Sequence, residues 1–348
     1  MSAAPKATAP FLGLDSRATR IFSDLISNRL GVKPNEHVLI FGDTETELEA
    51  IQGLATAIAN AGGVFTILIQ PGNGWDASNL FAVTKPAQGA LGLADVVIAA
   101  TRSNSASTYG GGQYRSKKAR TLALTERPFD AIINDTADYA QMAIDAEKLA
   151  KLVENSKEVR VTSNKGTDFT AKIDQRSVAL HRKHKQLYQV GMCREEGDFA
   201  GAPDGEFHFG PVIDSGEGTI VVDGSILNVA HVLSEPVRLE VKKGRITEVS
   251  GAKEARDLEA VLKRHGNANH ISEIGLGLNP VLPMAGESVH LEKKALGNVH
   301  LAHGAYMLRR LGDYADVEDM GPHGDMVIRN ATYALDGKVI VENAKLKL

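Results

Sequence analysis

Short apolar runs separated by helical patterns constrain the fold of this chain more than any other feature. Three such runs lie early in the sequence, at His37–Gly42, Val64–Ile69 and Asp95–Ala100. Between the first two, Glu45–Asn60 carries apolar residues at helical spacing. Continuous apolar runs predict strands that are buried on both faces, and helices between them predict βαβ units with a parallel sheet. We therefore expect an α/β domain over residues 1–155.

Further elements of this domain are expected on both sides of the three runs. A helix capped by Asp15 or Ser16 should precede the first strand, because apolar residues at helical spacing follow these two capping residues. The segments 120–124 and 131–134 are expected to add strands. A connecting helix is predicted over 137–153.

After this helix the pattern of the sequence changes to one of hairpins. Three pairs of short extended segments are joined at glycine-containing turns, which favour antiparallel hairpins. The turns are Asn164-Lys165-Gly166, Lys242-Lys243-Gly244 and Leu335-Asp336-Gly337. Helix is predicted only over 253–264 and around 300–310. Many hairpins with few helices predict an α+β domain, which we place at residues 156–348.

Composition limits the class of protein and its partners. A chain of 348 residues with 43% hydrophobic and 24% charged residues is expected to form two globular domains. The net charge of −4 indicates neither nucleic acid nor a membrane as partner. Cys193 is the only cysteine, which favours a reducing compartment. Because no run reaches the ~18 apolar residues that span a bilayer, and the first ten residues lack a signal-peptide pattern, we expect a cytoplasmic protein.

Candidate metal-binding residues concentrate in the second half, where most of the 11 histidines lie. The sharpest fragment contains His323 and Asp325, two residues apart and flanked by glycine and proline. In an extended chain such residues point to the same face, so an imidazole and a carboxylate can reach one ion. An ordinary loop is the alternative interpretation of so short a motif.

Three other fragments carry isolated polar residues of the same kind. Glu273 lies in an apolar, glycine-rich run, and burying an unpaired carboxylate is costly. It therefore needs a metal, a cation or a hydrogen-bond network, and a structural pair with an arginine is the alternative. For His300, the alternative is a histidine at the end of a helix or strand whose hydrogen bonds are satisfied without a metal. Glu206 follows a proline and a glycine, and a solvated turn is its alternative.

Sequence motifs of other enzyme classes are absent. No GxGxxG follows the first strand, and no GxSxG occurs in the sequence. In the first half, Arg102, Tyr109 and Arg115 are possible substrate contacts, although surface charge is the alternative for the two arginines.

Taken in order, the four fragments resemble the M29 metallo-aminopeptidase family, the group of aminopeptidase T and aminopeptidase S. The matching segments are Pro203–Phe207, Ser272–Pro280, Glu292–Gly304 and His323–Asp325. The resemblance implies two divalent ions, Zn, Mn or Co, and five metal ligands. The implied ligands are Glu206, Glu273, His300, His323 and Asp325. The catalytic tyrosine of that family would fall near Tyr306, one residue short of the usual spacing.

The chain also resembles the 2,5-dihydroxypyridine 5,6-dioxygenases, which share this fold, in length and in its N-terminal half. That resemblance implies one Fe(II), held by the H-x-D pair and by a histidine at the position of Glu273. This chain has glutamate there and also carries His300 and Glu206. A set of two histidines and one carboxylate suits iron, whereas a carboxylate-rich set of five suits two divalent ions. With one Fe(II), three carboxylates would leave the site negative and repel a hydroxylated ring.

These observations predict a metal-dependent hydrolase that cleaves a small amide or peptide-like substrate with metal-activated water. Glu206 or Glu273 would carry the proton, and Tyr306 would donate a hydrogen bond to the tetrahedral intermediate. The alternative is a non-haem Fe(II) dioxygenase that opens a dihydroxypyridine-like ring, and a third interpretation is a binding protein without activity. The expected partner is a small molecule or short peptide, and the resemblance implies a homodimer or larger oligomer.

Overall fold

The structure is a computed structural model that describes residues 16–72, 84–101, 118–124, 132–285, 288–310, 313–314 and 320–348. The chain divides into two compact units. The first is Met1–Tyr139 with Gly191–Pro203, and the second is Ala140–Val190 with Asp204–Leu348. The chain therefore passes between the units three times, whereas a single boundary after residue 155 was expected.

The first unit is built on a parallel sheet of five strands. The strands are β1 (His37–Asp43), β2 (Val64–Gln70), β3 (Val96–Ala99), β4 (Arg120–Leu124) and β8 (Phe199–Ala202). Their order in the sheet is β2-β1-β3-β4-β8, and all neighbours are parallel. The α/β class predicted for this part of the chain is confirmed.

Three helices of the first unit are described, of which the first two were predicted and the third was not. They are α1 (Ser16–Asp24), which continues as a π-helical turn over Leu25–Arg29, α2 (Leu48–Asn60) and α3 (Lys85–Leu91). Helix α2 packs closely on α1 at Gly53. A side-chain carbon at this position would lie 2.3 Å from Cε2 of Phe22, so only glycine allows this close approach. The strand predicted over 131–134 is wrong where the structure describes it, since 132–134 form a helical turn.

The second unit contains an antiparallel sheet of eight strands, which includes the three predicted hairpins. Its strands are β5 (Glu158–Thr162), β6 (Asp168–Lys172), β10 (Glu217–Val222), β11 (Val237–Lys242), β12 (Arg245–Ser250), β16 (Thr332–Leu335), β17 (Lys338–Glu342) and β18 (Lys345–Leu346). Their order is β12-β11-β10-β6-β5-β16-β17-β18. The pairs β5/β6, β11/β12 and β16/β17 confirm the hairpins.

A second antiparallel sheet of this unit carries the candidate site. Its strands are β7 (Tyr188–Gln189), β9 (Glu206–Phe209), β13 (Ile271–Gly277), β14 (Val299–His303) and β15 (Gly324–Ile328), in the order β15-β14-β13-β9-β7. Every residue of β9, β13, β14 and β15 is buried. Polar side chains on these strands are therefore withdrawn from water and need partners inside the protein.

The remaining described helices differ in length, and the last two are single turns. They are α4 (Tyr139–Glu154), α5 (Gln175–Lys183), α6 (Lys253–Lys263), α7 (Val289–Glu292) and α8 (Met307–Arg310). The helix expected around 300–310 is confirmed only over Met307–Arg310, because Val299–His303 forms a strand. Within the described ranges, no helix combines the length and apolar composition needed to cross a lipid bilayer.

Candidate metal centre

Four neighbouring strands of the smaller antiparallel sheet bring the predicted donors together. Glu206 lies on β9, Glu273 on β13, His300 on β14 and Asp325 on β15. Ala302, on β14 between β13 and β15, lies opposite Glu273 on one side and opposite Asp325 on the other. Because alternate residues of a strand share a face, this register lets the donors converge on one face of the sheet.

The donors form two overlapping groups of three. In the first group, one donor atom from each of Glu206, Glu273 and His300 lies within 4.8 Å of the others. In the second group the same holds for Glu273, His323 and Asp325. None of the five residues is more than 8% exposed. The structure thus brings together all five residues that the M29 resemblance implied, and their role as metal ligands stays a prediction.

Glu273 links the two groups through its two carboxylate oxygens. Its Oε1 lies 3.1 Å from Nε2 of His300, and its Oε2 lies 3.9 Å from Nε2 of His323. The same His300 nitrogen lies 3.2 Å from Oε1 of Glu206. Nε2 of His323 lies 3.0 Å from Oδ1 of Asp325. The cluster is therefore continuous from Glu206 to Asp325.

His323 is oriented by the backbone. Its Nδ1 lies 2.9 Å from the carbonyl oxygen of Ala305, which can only accept a hydrogen bond, so Nδ1 carries a hydrogen. In the neutral imidazole the other nitrogen, Nε2, then has its lone pair directed at Asp325 and Glu273. This arrangement is the usual one for a histidine that binds a metal.

Two basic residues at the cluster were not identified from the sequence as site residues. Nζ of Lys293, which directly follows α7, lies 2.9 Å from Oε1 of Glu206 and 3.0 Å from Oδ2 of Asp325. Nδ1 of His208 lies 3.2 Å from the same Glu206 oxygen. His208 is two residues after Glu206 on β9, so strand alternation could have placed it on the same face. Lys293 lay inside a matching segment, but nothing in the sequence assigned it a role.

The carboxylates of the cluster are ionised although they are buried. Burial alone would raise the pKa of Glu273, but the basic groups of His208, His300 and His323 lower it to about 2. Burial also opposes the ionisation of Glu206 and Asp325, but the Lys293 ammonium and the neighbouring histidines together outweigh it, so both pKa values lie well below their usual range. The three carboxylates therefore carry three negative charges near neutral pH.

The basic groups show the complementary shifts. Burial and the charge of Lys293 would lower the pKa of His300, but its hydrogen bonds to Glu206 and Glu273 raise it to about 9. Burial would likewise lower the pKa of Lys293, and Asp325 and Glu206 raise it instead. A metal ion that binds to Nε2 of His300 near neutral pH must therefore displace a proton, which makes metal affinity depend on pH.

Tyr306 is engaged away from the cluster. Its hydroxyl donates to the carbonyl of Pro211 at 2.8 Å, and its ring stacks on Tyr314 at 5.8 Å between centroids. Burial raises the pKa of the Tyr306 hydroxyl. A catalytic role for Tyr306 stays a prediction, and it requires this hydrogen bond to break. The possible substrate contacts at 102, 109 and 115 lie outside the described residues.

Comparisons with known proteins identify relatives of this chain. The NicX family model, described as 2,5-dihydroxypyridine 5,6-dioxygenase, matches residues 19–348. A curated 2,5-dihydroxypyridine 5,6-dioxygenase of Pseudomonas putida KT2440 is 28% identical over 213 residues, which are 59% of this chain and 58% of that protein. The alignment thus spans little more than half the length of the relative.

Two solved structures share the fold. The 2,5-dihydroxypyridine dioxygenase of Pseudomonas putida KT2440 superposes with a TM-score of 0.76 at 20% identity, over 96% of this chain and 98% of that one. Wild-type AmpT from Thermus thermophilus superposes with a TM-score of 0.68 at 14% identity, over 95% of this chain and 99% of that one. These likenesses support an M29-like fold, and the family match lies with the dioxygenases rather than with the aminopeptidase group.

Proposed function

Because the chain belongs to the 2,5-dihydroxypyridine 5,6-dioxygenase family, we propose that it is a metal-dependent dioxygenase that opens a hydroxylated, nitrogen-containing aromatic ring. The observation that carries this proposal is the buried group of Glu273, His323 and Asp325, whose donor atoms lie within 4.8 Å of one another. This group contains the H-x-D pair, and it lies within the part of the chain that matches the family.

The donor chemistry of this group fits one divalent ion. It offers one imidazole and two carboxylates, where non-haem iron oxygenases use two imidazoles and one carboxylate. Imidazole suits iron and carboxylates suit manganese, so Fe(II) and Mn(II) are the ions we expect. When bound, such an ion supplies the one-electron chemistry that dioxygen needs in order to react with an aromatic ring.

The charge of the cluster also suits a single ion. The negative charge expected for a one-ion site came from three carboxylates, and Lys293 offsets part of it. One divalent ion and the Lys293 ammonium supply three positive charges, which offset the charges of Glu206, Glu273 and Asp325, and a protonated His300, whose pKa is raised to about 9, adds one more. A site close to neutral does not repel a hydroxylated ring, so this objection to the dioxygenase no longer applies.

The residues of the cluster would have different roles in binding the ion. Glu273, His323 and Asp325 would hold the ion, and Nε2 of His300 would orient Glu273 from 3.1 Å. Glu206 is occupied by basic partners on its Oε1, namely Lys293, His208 and His300. The proton-carrying role predicted for Glu206 or Glu273 stays a prediction, and the low pKa of both makes each a poor proton acceptor near neutral pH.

The proposed reaction places both atoms of one dioxygen molecule in the product. A ring bond breaks between the hydroxyl-bearing carbon and its neighbour. The first carbon becomes a carboxylic acid and the second becomes a carbonyl carbon. Atoms and electrons balance without another oxidant or reductant.

A two-metal hydrolase is the second candidate, and one specific observation favours it. Glu206, Glu273 and His300 form a second group of three donors that shares Glu273 with the first. A carboxylate shared by two groups is the arrangement that bridges two ions in two-metal sites. This second group of donors supports the two-metal candidate.

Assays of 2,5-dihydroxypyridine cleavage by protein reconstituted with different metals test the proposal. Metal-free protein is loaded separately with Fe(II), Mn(II) or Zn(II), and ring absorbance is followed in air and under nitrogen. We expect the ring to be lost only in air and not with Zn(II), which has no redox chemistry. Cleavage of an aminoacyl amide under nitrogen with Zn(II), and no reaction of the ring with any ion, would support the hydrolase instead.

A further inference from the structure

Lys293 connects the two ends of the donor cluster. Its Nζ contacts Glu206, which belongs to the first group of donors, and Asp325, which belongs to the second, at 2.9 and 3.0 Å. The side chain of Lys293 is 12% exposed, so water does little to screen these contacts. One ammonium therefore neutralises part of the charge at both ends of the cluster.

The backbone that presents Lys293 is fixed by the residue before it. The carboxylate of Glu292 is fully buried and accepts hydrogen bonds from the backbone and the hydroxyl of Ser225. It also accepts a hydrogen bond from Nε of Arg329. A side chain mounted on an anchored backbone keeps its ammonium at the cluster rather than exploring solvent.

One of the two carboxylates that Lys293 contacts is a proposed metal ligand. Asp325 belongs to the group proposed to hold the ion, and a bound ion must share this carboxylate with the ammonium. Without a metal, removal of the ammonium would leave buried carboxylates with one positive charge fewer, and buried charges of one sign are strongly unfavourable. The ammonium therefore stabilises the metal-free cluster more than the metal-bound one.

We propose that Lys293 is a resident counter-ion that keeps the metal-free cluster assembled by pairing with Glu206 and Asp325, and that it competes with the metal for Asp325. The inference rests on the metal site of the proposed function. It assigns to this lysine the control of metal affinity. A protein with such a counter-ion can lose and regain its metal without unfolding.

Replacement of Lys293 by methionine tests the proposal, and Lys294 is the matched control. Lys294 is the next residue, is similarly buried, and pairs with Asp204 at 2.9 Å, outside both donor groups. Thermal unfolding is measured with chelator and with excess Mn(II). Mn(II) affinity is measured from the electron paramagnetic resonance signal of the free ion.

We expect chelated K293M to have a lower Tm than the chelated wild type, and Mn(II) to restore it. We also expect K293M to bind Mn(II) more tightly by about tenfold or more, because a positive charge near the ion has been removed. K293R should bind Mn(II) like the wild type. K294M should lower the Tm of both forms alike and leave the affinity unchanged. If chelated K293M does not fold, folding that Mn(II) rescues supports the proposal, and a failure to fold even with Mn(II), when K294M folds, contradicts it.

Unchanged or weaker Mn(II) binding by K293M would overturn the proposal. So would an equal loss of Tm by K293M with and without metal, since that indicates an ordinary structural contact. Neither readout uses a substrate, so these outcomes leave the dioxygenase proposal standing, and a failure of the ring-cleavage assay leaves the counter-ion role intact.

Discussion

A methyl group at Gly275 would lie 1.9 Å from Cε1 and 2.2 Å from Nε2 of the His300 imidazole. Glycine at this position on β13 therefore lets the ring of His300 lie across the neighbouring strand. From there Nε2 reaches Glu273 and Glu206 at 3.1 and 3.2 Å. The geometry of the cluster therefore depends on the absence of a side chain at Gly275.

The first prediction follows from this contact. Gly275→Ala should displace the His300 ring and weaken Mn(II) binding by about 10–100-fold, the usual effect of disturbing a residue that orients a metal ligand. Gly266→Ala is the control, because an added side-chain carbon there has no atom within 4 Å. Equal Mn(II) affinity in the two variants would show that the orientation of His300 does not matter for the ion.

The second prediction concerns the proposed ligands themselves. His323→Ala should lower metal affinity by at least about a hundredfold and abolish turnover, because Nε2 of His323 is the only imidazole nitrogen in its group of donors. Metal content after gel filtration measures the loss of metal, and circular dichroism measures the retention of the fold. His231→Ala, at an exposed histidine, is the control. A His323→Ala protein with normal metal content and turnover would place the ion elsewhere.

The fold was predictable where its signals are local. Apolar runs and helical spacing identify β1, β2 and β3, and glycine turns identify three hairpins, because each pattern lies within a few residues. The edge strand β8 was not predicted, since its pairing of Phe199 with Thr121 joins distant parts of the chain. The sheet that carries the cluster was missed for the same reason, as its strands β9, β13, β14 and β15 are separated by long segments.

The candidate site divides in a similar way. The five donors were found because their motifs occur in a recognisable order, although their convergence depends on strand register that no local pattern reveals. Glu206, for which a solvated turn was considered, is 3% exposed at the start of β9. Lys293 was overlooked because lysine is ordinarily a solvated surface residue. Only its distances to Glu206 and Asp325 reveal that it belongs to the cluster.

The third prediction concerns acid stability and a buried histidine outside the donor set. His181, on α5, is 3% exposed, and Nδ1 donates to the carbonyl of Ser177 at 2.9 Å. Burial, assisted by the nearby His208, lowers the pKa of His181 to about 4 from the ordinary value of 6.5. Between these two values the unfolded chain binds a proton that the native protein does not, so stability falls as the pH decreases from 6.5 towards 4 and is no longer affected below that.

At pH 5 this proton should cost the wild type about 2 kcal/mol of unfolding free energy relative to pH 7. His181→Asn removes the titrating ring and should lose correspondingly less between pH 7 and pH 5, as measured by urea unfolding in the presence of chelator. His231→Asn should behave like the wild type. The same loss in His181→Asn as in the wild type would show that His181 is not responsible.

The fate of the two oxygen atoms tests the central claim most directly. Protein loaded with Fe(II) or Mn(II) is given 2,5-dihydroxypyridine under ¹⁸O₂, and the product mass is determined. A ring-opening dioxygenase places both labelled atoms in the product, which becomes about four mass units heavier than the product formed under ¹⁶O₂, apart from label lost when a carbonyl exchanges with water. The same reaction is run in H₂¹⁸O under ordinary dioxygen. A product that takes up label from water and none from ¹⁸O₂, or one that forms equally well under nitrogen, would contradict the dioxygenase assignment and favour metal-activated water.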